Sequence, residues 1–187
     1  MKKQKGEYGY IPYRRKRVMI RTFLYFLISL SLYFIGYSVT KTNANILTIV
    51  AILGILPASK SMVEAIMFCK IKEIKQVHQE EISRKLANKT KAYDLFLTAY
   101  SKNFPISCVV VSEKKVVAYT ENQTCDLPAA EKHIQDILSS NSISCEVMVF
   151  HNLEQFLNET SKLAPQASDD TSQKEVELLN IIKAISL

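Results

Sequence analysis

The distribution of apolar residues divides the chain in two. From Thr22 to Val39 no charged residue occurs, and between residues 46 and 56 only Gly54 and Thr48 interrupt an apolar run. As a helix, "TFLYFLISLSLYFIGYSV" is about 27 Å long, close to the ~30 Å hydrocarbon core of a bilayer. No polar stripe marks it as the half-buried helix of a soluble domain, and its Phe and Tyr residues lie at both ends, where membrane interfaces favour them. The second run reaches only about 21 Å from Ile46 to Ser59, but about 36 Å if it continues through "KSMVEAIMFC" to Cys69. The pattern therefore predicts a helix that passes Pro57, with a kink where the proline removes a backbone hydrogen bond. A cleaved secretory signal is disfavoured: the basic segment is long, the apolar run exceeds a signal core, and a second apolar segment follows within a few residues.

Beyond Cys69 the periodicity changes. Residues 70–90 place Ile71, Ile74, Val77 or His78, Ile82 and Leu86 near helical spacing, which predicts a charged connecting helix. "AYDLFLTAY" reads as a strand, and two β-branched runs, Ile106–Val111 and Lys115–Thr120, flank a polar "SEKK" as in a hairpin. Pro105 suits the start of a strand. Asp126 is placed as an N-cap, with Pro128 in the first turn of a helix presenting Leu127, Ala130, Ile134, Ile137 and Leu138 on one face. "SISCEVMVF" alternates as a strand. A short helix follows through Leu153, Phe156, Leu157 and Leu163, then a linker, "PQASDDTS". A closing helix presents Val176, Leu179, Ile182 and Ile185. The expected fold class is a membrane α-hairpin plus a small cytoplasmic α/β (α+β) domain, in the order α-β-β-β-α-β-α-α. Its parts are a basic tail (1–21), a two-helix transmembrane hairpin (22–69), a connecting helix (70–90) and the α/β domain (91–187).

Charge adds orientation. The net charge of +6 is uneven: residues 1–69 carry ten Lys/Arg against two Glu, whereas residues 92–187 sum to −6. Basic residues flank the apolar runs and are nearly absent from the short connection "KTNAN", so both termini are expected in the cytoplasm of a plasma-membrane protein. Arg14, Arg15, Lys16, Arg17 and Arg21 form a cluster suited to the anionic inner leaflet. Nucleic acid is disfavoured as a partner, because the basic excess does not lie on the folded domain. Lys60 and Glu64, four apart in the second run, are expected either as an interfacial ion pair or as an intramembrane contact to a partner helix or ion.

Chemistry is harder to find. The four cysteines are widely spaced, as scattered reduced thiols are, and His78, His133 and His151 lie on separate predicted elements without ligand spacing. All four glycines (Gly6, Gly9, Gly36, Gly54) lie within or before the apolar runs, so the α/β domain has no glycine-rich phosphate loop. No cofactor or metal is expected.

The predicted helix, three strands, helix and strand over roughly residues 71–150 are similar to the core of the PD-(D/E)xK restriction-endonuclease-like superfamily. That resemblance implies a metal-dependent nuclease with Asp94, Glu113 and Lys115 as the catalytic candidates. The whole layout, from "KKQKGEYGYI" through "LPASKSMVEAIMF" to a domain of about a hundred residues, resembles small two-span bacterial membrane proteins, a likeness that implies architecture and no activity. The expected function is a non-catalytic binding or self-associating module at the inner face of the membrane. The alternatives are the tethered nuclease and an accessory subunit docking through Lys60, Glu64 and a small-residue face at Ala51, Gly54 and Ala58.

Overall fold

The computed structural model describes residues 3–99, 102–163 and 169–187, with the side chains of 169–172 excepted. The chain forms two compact units, Ile11–Ile71 and a second one joining Met1–Tyr10 to Lys72–Leu187.

The first unit is a helical hairpin of α1 (Tyr10–Thr40) and α2 (Ile46–Lys70). Both helices are long and apolar enough to cross a membrane. At 1.5 Å per residue they extend about 46 and 38 Å. Asn45 caps α2, its side-chain oxygen accepting from the Thr48 N–H at 2.8 Å. The helix does pass Pro57, as the apolar pattern predicts. The helices meet through small side chains. Ala51, Gly54, Ala58, Ser61 and Ala65 recur at alternating spacings of three and four, and all but Gly54 are buried residues of α2. Gly54 faces Ser29 so closely that an added Cβ would lie 2.5 Å from the Ser29 hydroxyl. Such stripes let helix backbones approach where hydrophobic burial does not drive association.

The second unit contains α3 (Gln76–Lys85), β1 (Lys91–Thr98), β2 (Asn103–Val111), β3 (Lys115–Tyr119), α4 (Leu127–Ser140), β4 (Glu146–Phe150), α5 (Leu153–Ser161) and α6 (Asp169–Ala184). The strands lie in the order β1-β2-β3-β4, antiparallel except for the β3/β4 pair, which the α4 crossover makes parallel. The expected order of helices and strands is present. Ala130, Ile134 and Leu138 of α4 and Leu178, Leu179 and Ile182 of α6 cover one face of the sheet. Ile82 of α3 and Phe156 and Leu157 of α5 cover the other. Asp126 caps α4 as its sequence predicts, accepting from the Ala129 N–H. Val176, expected on the apolar face of α6, is instead 47% exposed, and Leu178 takes the buried position.

One irregularity shapes the sheet. Ala92, Leu95 and Leu97 of β1 share one face, as do Ile106, Val109 and Val111 of β2, so strict alternation slips in both strands between these residues. The slip falls at the facing positions Asp94 and Ser107, which drop out of an otherwise continuous register. Asp94 has φ +53°, a left-handed backbone that aspartate tolerates better than most residues. Its buried carboxylate accepts from the Gly9 N–H at 2.7 Å. Just beside it the Tyr93 N–H donates to the Gly6 carbonyl at 2.9 Å, and Tyr8 packs edge-on against Tyr93.

These contacts correct the expected boundaries. The segment around Gly6 and Gly9 is not a free basic tail but an addition to the β1 edge, and residues 10–21 are already helical. Residues 71–75 interrupt the expected connecting helix, whose helical part is Gln76–Lys85. Of the expected linker, residues 165–168 lie outside the described residues, and 169–172 belong to α6.

Candidate functional site

A cavity of about 840 Å³ opens where the carboxyl ends of the parallel strands β3 and β4 meet α3 and the start of α5. In α/β sheets such positions are where ligands bind, because loops leave the strands there and the next helix begins. Glu121, two residues beyond β3, is its organising group. Its backbone N–H donates to the Ser107 hydroxyl at 3.0 Å, tying the end of β3 to the slipped position on β2. The neighbouring Thr120 hydroxyl donates to the Pro105 carbonyl at 2.6 Å. The carboxylate, held this way, accepts from His78 Nδ1 at 2.6 Å and from the Lys75 backbone N–H at 3.1 Å.

The hydrogen-bond inventory then assigns protons. Glu121 is an acceptor toward His78, so Nδ1 carries a proton and the neutral ring keeps its lone pair on Nε2. Tyr119, buried at the end of β3, has its hydroxyl 3.2 Å from the same Nδ1. Burial pushes the Tyr119 phenol up to about 12, with the Glu121 charge and the hydrogen bond to it acting in the same direction. The phenol therefore stays protonated at neutral pH and acts as a donor. The Tyr119 ring also packs against the buried Phe156, tilted by 38° with 5.7 Å between centroids.

The opposite wall comes from the β4–α5 junction. Asn152 caps α5, its side-chain oxygen accepting from the Glu154 and Gln155 N–H groups, so the helix start is already satisfied from within. His151, one residue earlier, lines the same cavity, and its Nδ1 is buried with no hydrogen-bond partner among the described residues. Lys72, Lys75, Glu81 and Glu154 add charges of both signs around the opening. The wall thus combines a fixed His–Glu pair, a neutral phenol donor, a second imidazole and mixed charge, which suits a polar ligand with both donors and acceptors. No group of three or more His, Cys, Asp or Glu suited to a metal ion occurs among the described residues.

The residues that the sequence nominated lie elsewhere. Asp94 is committed to the Gly9 N–H inside β1. Glu113 sits in the β2–β3 turn, 3.9 Å from Lys174, and Lys115 pairs with Glu146 across β3 and β4 at 2.7 Å. Asp94 lies opposite Ser107, four residues before β2 ends, so at least about 13 Å of strand separates it from the turn that carries Glu113. The structure does not bring the three together.

Lys60 and Glu64 are also not paired. Glu64 is bound from α1, by Arg14 at 3.1 Å and Arg21 at 2.5 Å, and Arg21 Nε reaches Ser61. Two charge-assisted bonds from planar guanidiniums outcompete one lysine, and a lysine placed N-terminal to its glutamate is the weaker orientation on a helix. Lys60 stays exposed. Of the basic cluster, Arg14 and Arg21 turn toward Glu64 while Lys16 and Arg17 are exposed; Arg15 is half-buried, like Arg14 and Arg21.

Comparison with known proteins finds no match to a family model, a curated protein or a solved structure.

The cavity is not legible in the sequence because its lining comes from α3, the end of β3 and the β4–α5 junction, far apart along the chain. Two signals were present. On α3 the choice between Val77 and His78 goes to His78, and Val77 is left 73% exposed, so the helix turns an imidazole inward at the cost of an apolar side chain. A histidine directly after a strand and before an Asn cap, His151, marks a strand-to-helix junction of the kind that builds sites.

Proposed function

We propose that this protein is a membrane-anchored, non-catalytic binding module. Helices α1 and α2 cross the membrane as a hairpin with both termini cytoplasmic, and the α/β domain at the inner face holds a partner or polar ligand in the cavity around Glu121. The observation that carries the anchor is the outer surface of the hairpin. Phe23, Phe34, Ile46 and Leu56 stand 58–78% exposed among many exposed apolar neighbours. An apolar surface that large is covered in functioning proteins, and a bilayer covers both helices at once. The basic bias of residues 1–21 and 70–91 against the short connection supports the orientation. The paired His78 and Glu121 and the neutral Tyr119 support recognition by a preorganised polar wall.

Part of the surface expected of a docking subunit is used internally. The face at Ala51, Gly54 and Ala58, expected to dock on other helices, is occupied within the hairpin itself.

Two single cysteines test the anchor in a cysteine-free background, one replacing Asn43 in the α1–α2 connection and one replacing Gln155 on α5. With a membrane-impermeant maleimide on intact cells, the first should label and the second should label only after lysis. Labelling of both from outside, or release of the chain by alkaline carbonate, would refute the reading.

A further inference from the structure

A second concave surface runs along α1: a groove of about 470 Å³ whose lining includes Arg14, Arg17, Val18, Arg21, Leu24 and Ile28. These residues recur at three- and four-residue steps and share one helix face. The face changes character along its length, with guanidiniums over the first two turns and apolar side chains after Arg21. Arg14 and Arg21 are steadied by Glu64 of α2, whereas Arg17 is exposed. Three arginines against one carboxylate leave the groove with two excess positive charges. Arg14 Nε is also buried and donates to no group among the described residues.

Guanidinium forks match phosphate oxygens in geometry and charge. From Arg17 to Ile28 the helix rises about 17 Å, close to the ~15 Å half-thickness of a hydrocarbon core. We propose that this groove binds one anionic phospholipid of the cytoplasmic leaflet. Arg17, with Arg14 and Arg21, holds the phosphate-bearing headgroup, and an acyl chain lies along the exposed Leu24, Tyr25 and Ile28. The choice of an anionic lipid follows from the charge excess, which a zwitterionic headgroup with its own cation does not neutralise. The Glu64 clasp keeps Arg14 and Arg21 on the groove side. This assignment rests on the reading that α1 and α2 cross the membrane.

The test uses the full chain in vesicles of phosphatidylcholine containing a minority of phosphatidylglycerol with matched acyl chains. After a carbonate wash and mild detergent extraction, native mass spectrometry counts the retained lipids. The expected result is a one-lipid complex enriched in phosphatidylglycerol and unaffected by millimolar inorganic phosphate. Arg17→Gln, which spares the Glu64 clasp, should lower that retention about fivefold, and Lys16→Gln, the same charge change on an exposed residue outside the groove lining, by less than about twofold. Equal losses in the two variants would reduce the effect to diffuse surface charge and overturn the proposal, as would equal retention of phosphatidylcholine or displacement of the lipid by phosphate. A carbonate-resistant chain with no lipid preference overturns the lipid site and leaves the anchor standing. A chain stripped off by carbonate overturns both.

Discussion

Asp94 is where the structure makes its sharpest energetic claim, because two separable effects meet at one residue. Its carboxylate accepts the Gly9 N–H at 2.7 Å in a buried setting, and its backbone sits at φ +53°. A hydrogen bond to a charged acceptor is worth about 1.5–3 kcal/mol, and an ordinary L-residue in the left-handed region costs roughly 1–2 kcal/mol. Asp94→Ala loses the bond and incurs the strain, for a total of about 2.5–5 kcal/mol. Asp94→Gly loses the bond but not to strain, at an entropic cost of about 0.5–1 kcal/mol, so it should be the more stable of the two by about 0.5–1 kcal/mol. Asp94→Asn keeps an oxygen acceptor and tolerance of positive φ, and should cost about 1 kcal/mol. The assay is native-state hydrogen exchange of the full chain in nanodiscs, read by mass spectrometry. The slowest β-sheet amides report global opening of the domain, and a peptide spanning residues 3–10 reports its attachment to β1. The order Asn, Gly, Ala of increasing damage is the prediction. If glycine is worse than alanine the strain argument fails, and if exchange in residues 3–10 is unchanged in Asp94→Ala the Gly9 contact is not what holds that segment.

Three further outcomes follow from the geometry. Gly54→Ala should need only a shift of the Ser29 hydroxyl, whereas Gly54→Leu should wedge α1 from α2 at about 1–3 kcal/mol. In a cysteine-free background the disulfide yield between Thr22→Cys and Ser61→Cys, whose hydroxyls lie 2.8 Å apart, should fall only with leucine. Tyr119 is raised from 10.0 to about 12, so folding holds its phenol protonated. That contribution to stability is complete below pH 10 and fades as the pH climbs toward about 12. Phenolate absorbance of the folded chain should show a late-titrating tyrosine that Tyr119→Phe removes. Tyr93, also raised by burial, is the internal comparison, and loss of no late phenol in Tyr119→Phe would refute the assignment. Finally, nitrogen NMR of neutral His78 should show the Nδ1–H tautomer, and Glu121→Ala should shift it toward Nε2–H; an Nε2–H ring in the unaltered chain would contradict the network around Glu121.

What the sequence determined by itself was whatever local pattern controls. Two uncharged runs define two long helices because backbone hydrogen bonds close within each segment, and the run past Pro57 was legible because Met62, Val63, Ile66 and Phe68 keep the apolar character. The order of strands and helices in the α/β domain was legible for the same reason: β-branched runs, the Asp126 cap and the spacing of Ala130, Ile134 and Leu138 are local signals. Tertiary structure alone decided which residues meet. Glu64 lies four residues from Lys60 in the sequence, yet its partners Arg14 and Arg21 come from a different helix, because planar guanidiniums across the hairpin offer better geometry than one lysine on the same face. Asp94 carried the look of a catalytic acid, but a strand slip and a positive φ turned it into the anchor of the Gly9 segment. His78, Tyr119, Glu121 and His151 span more than seventy residues, and only the antiparallel return of β3 beside β2 and the parallel crossover to β4 bring them to one cavity. Periodicity reports which face of an element is buried; it carries no record of what the neighbouring element presents there.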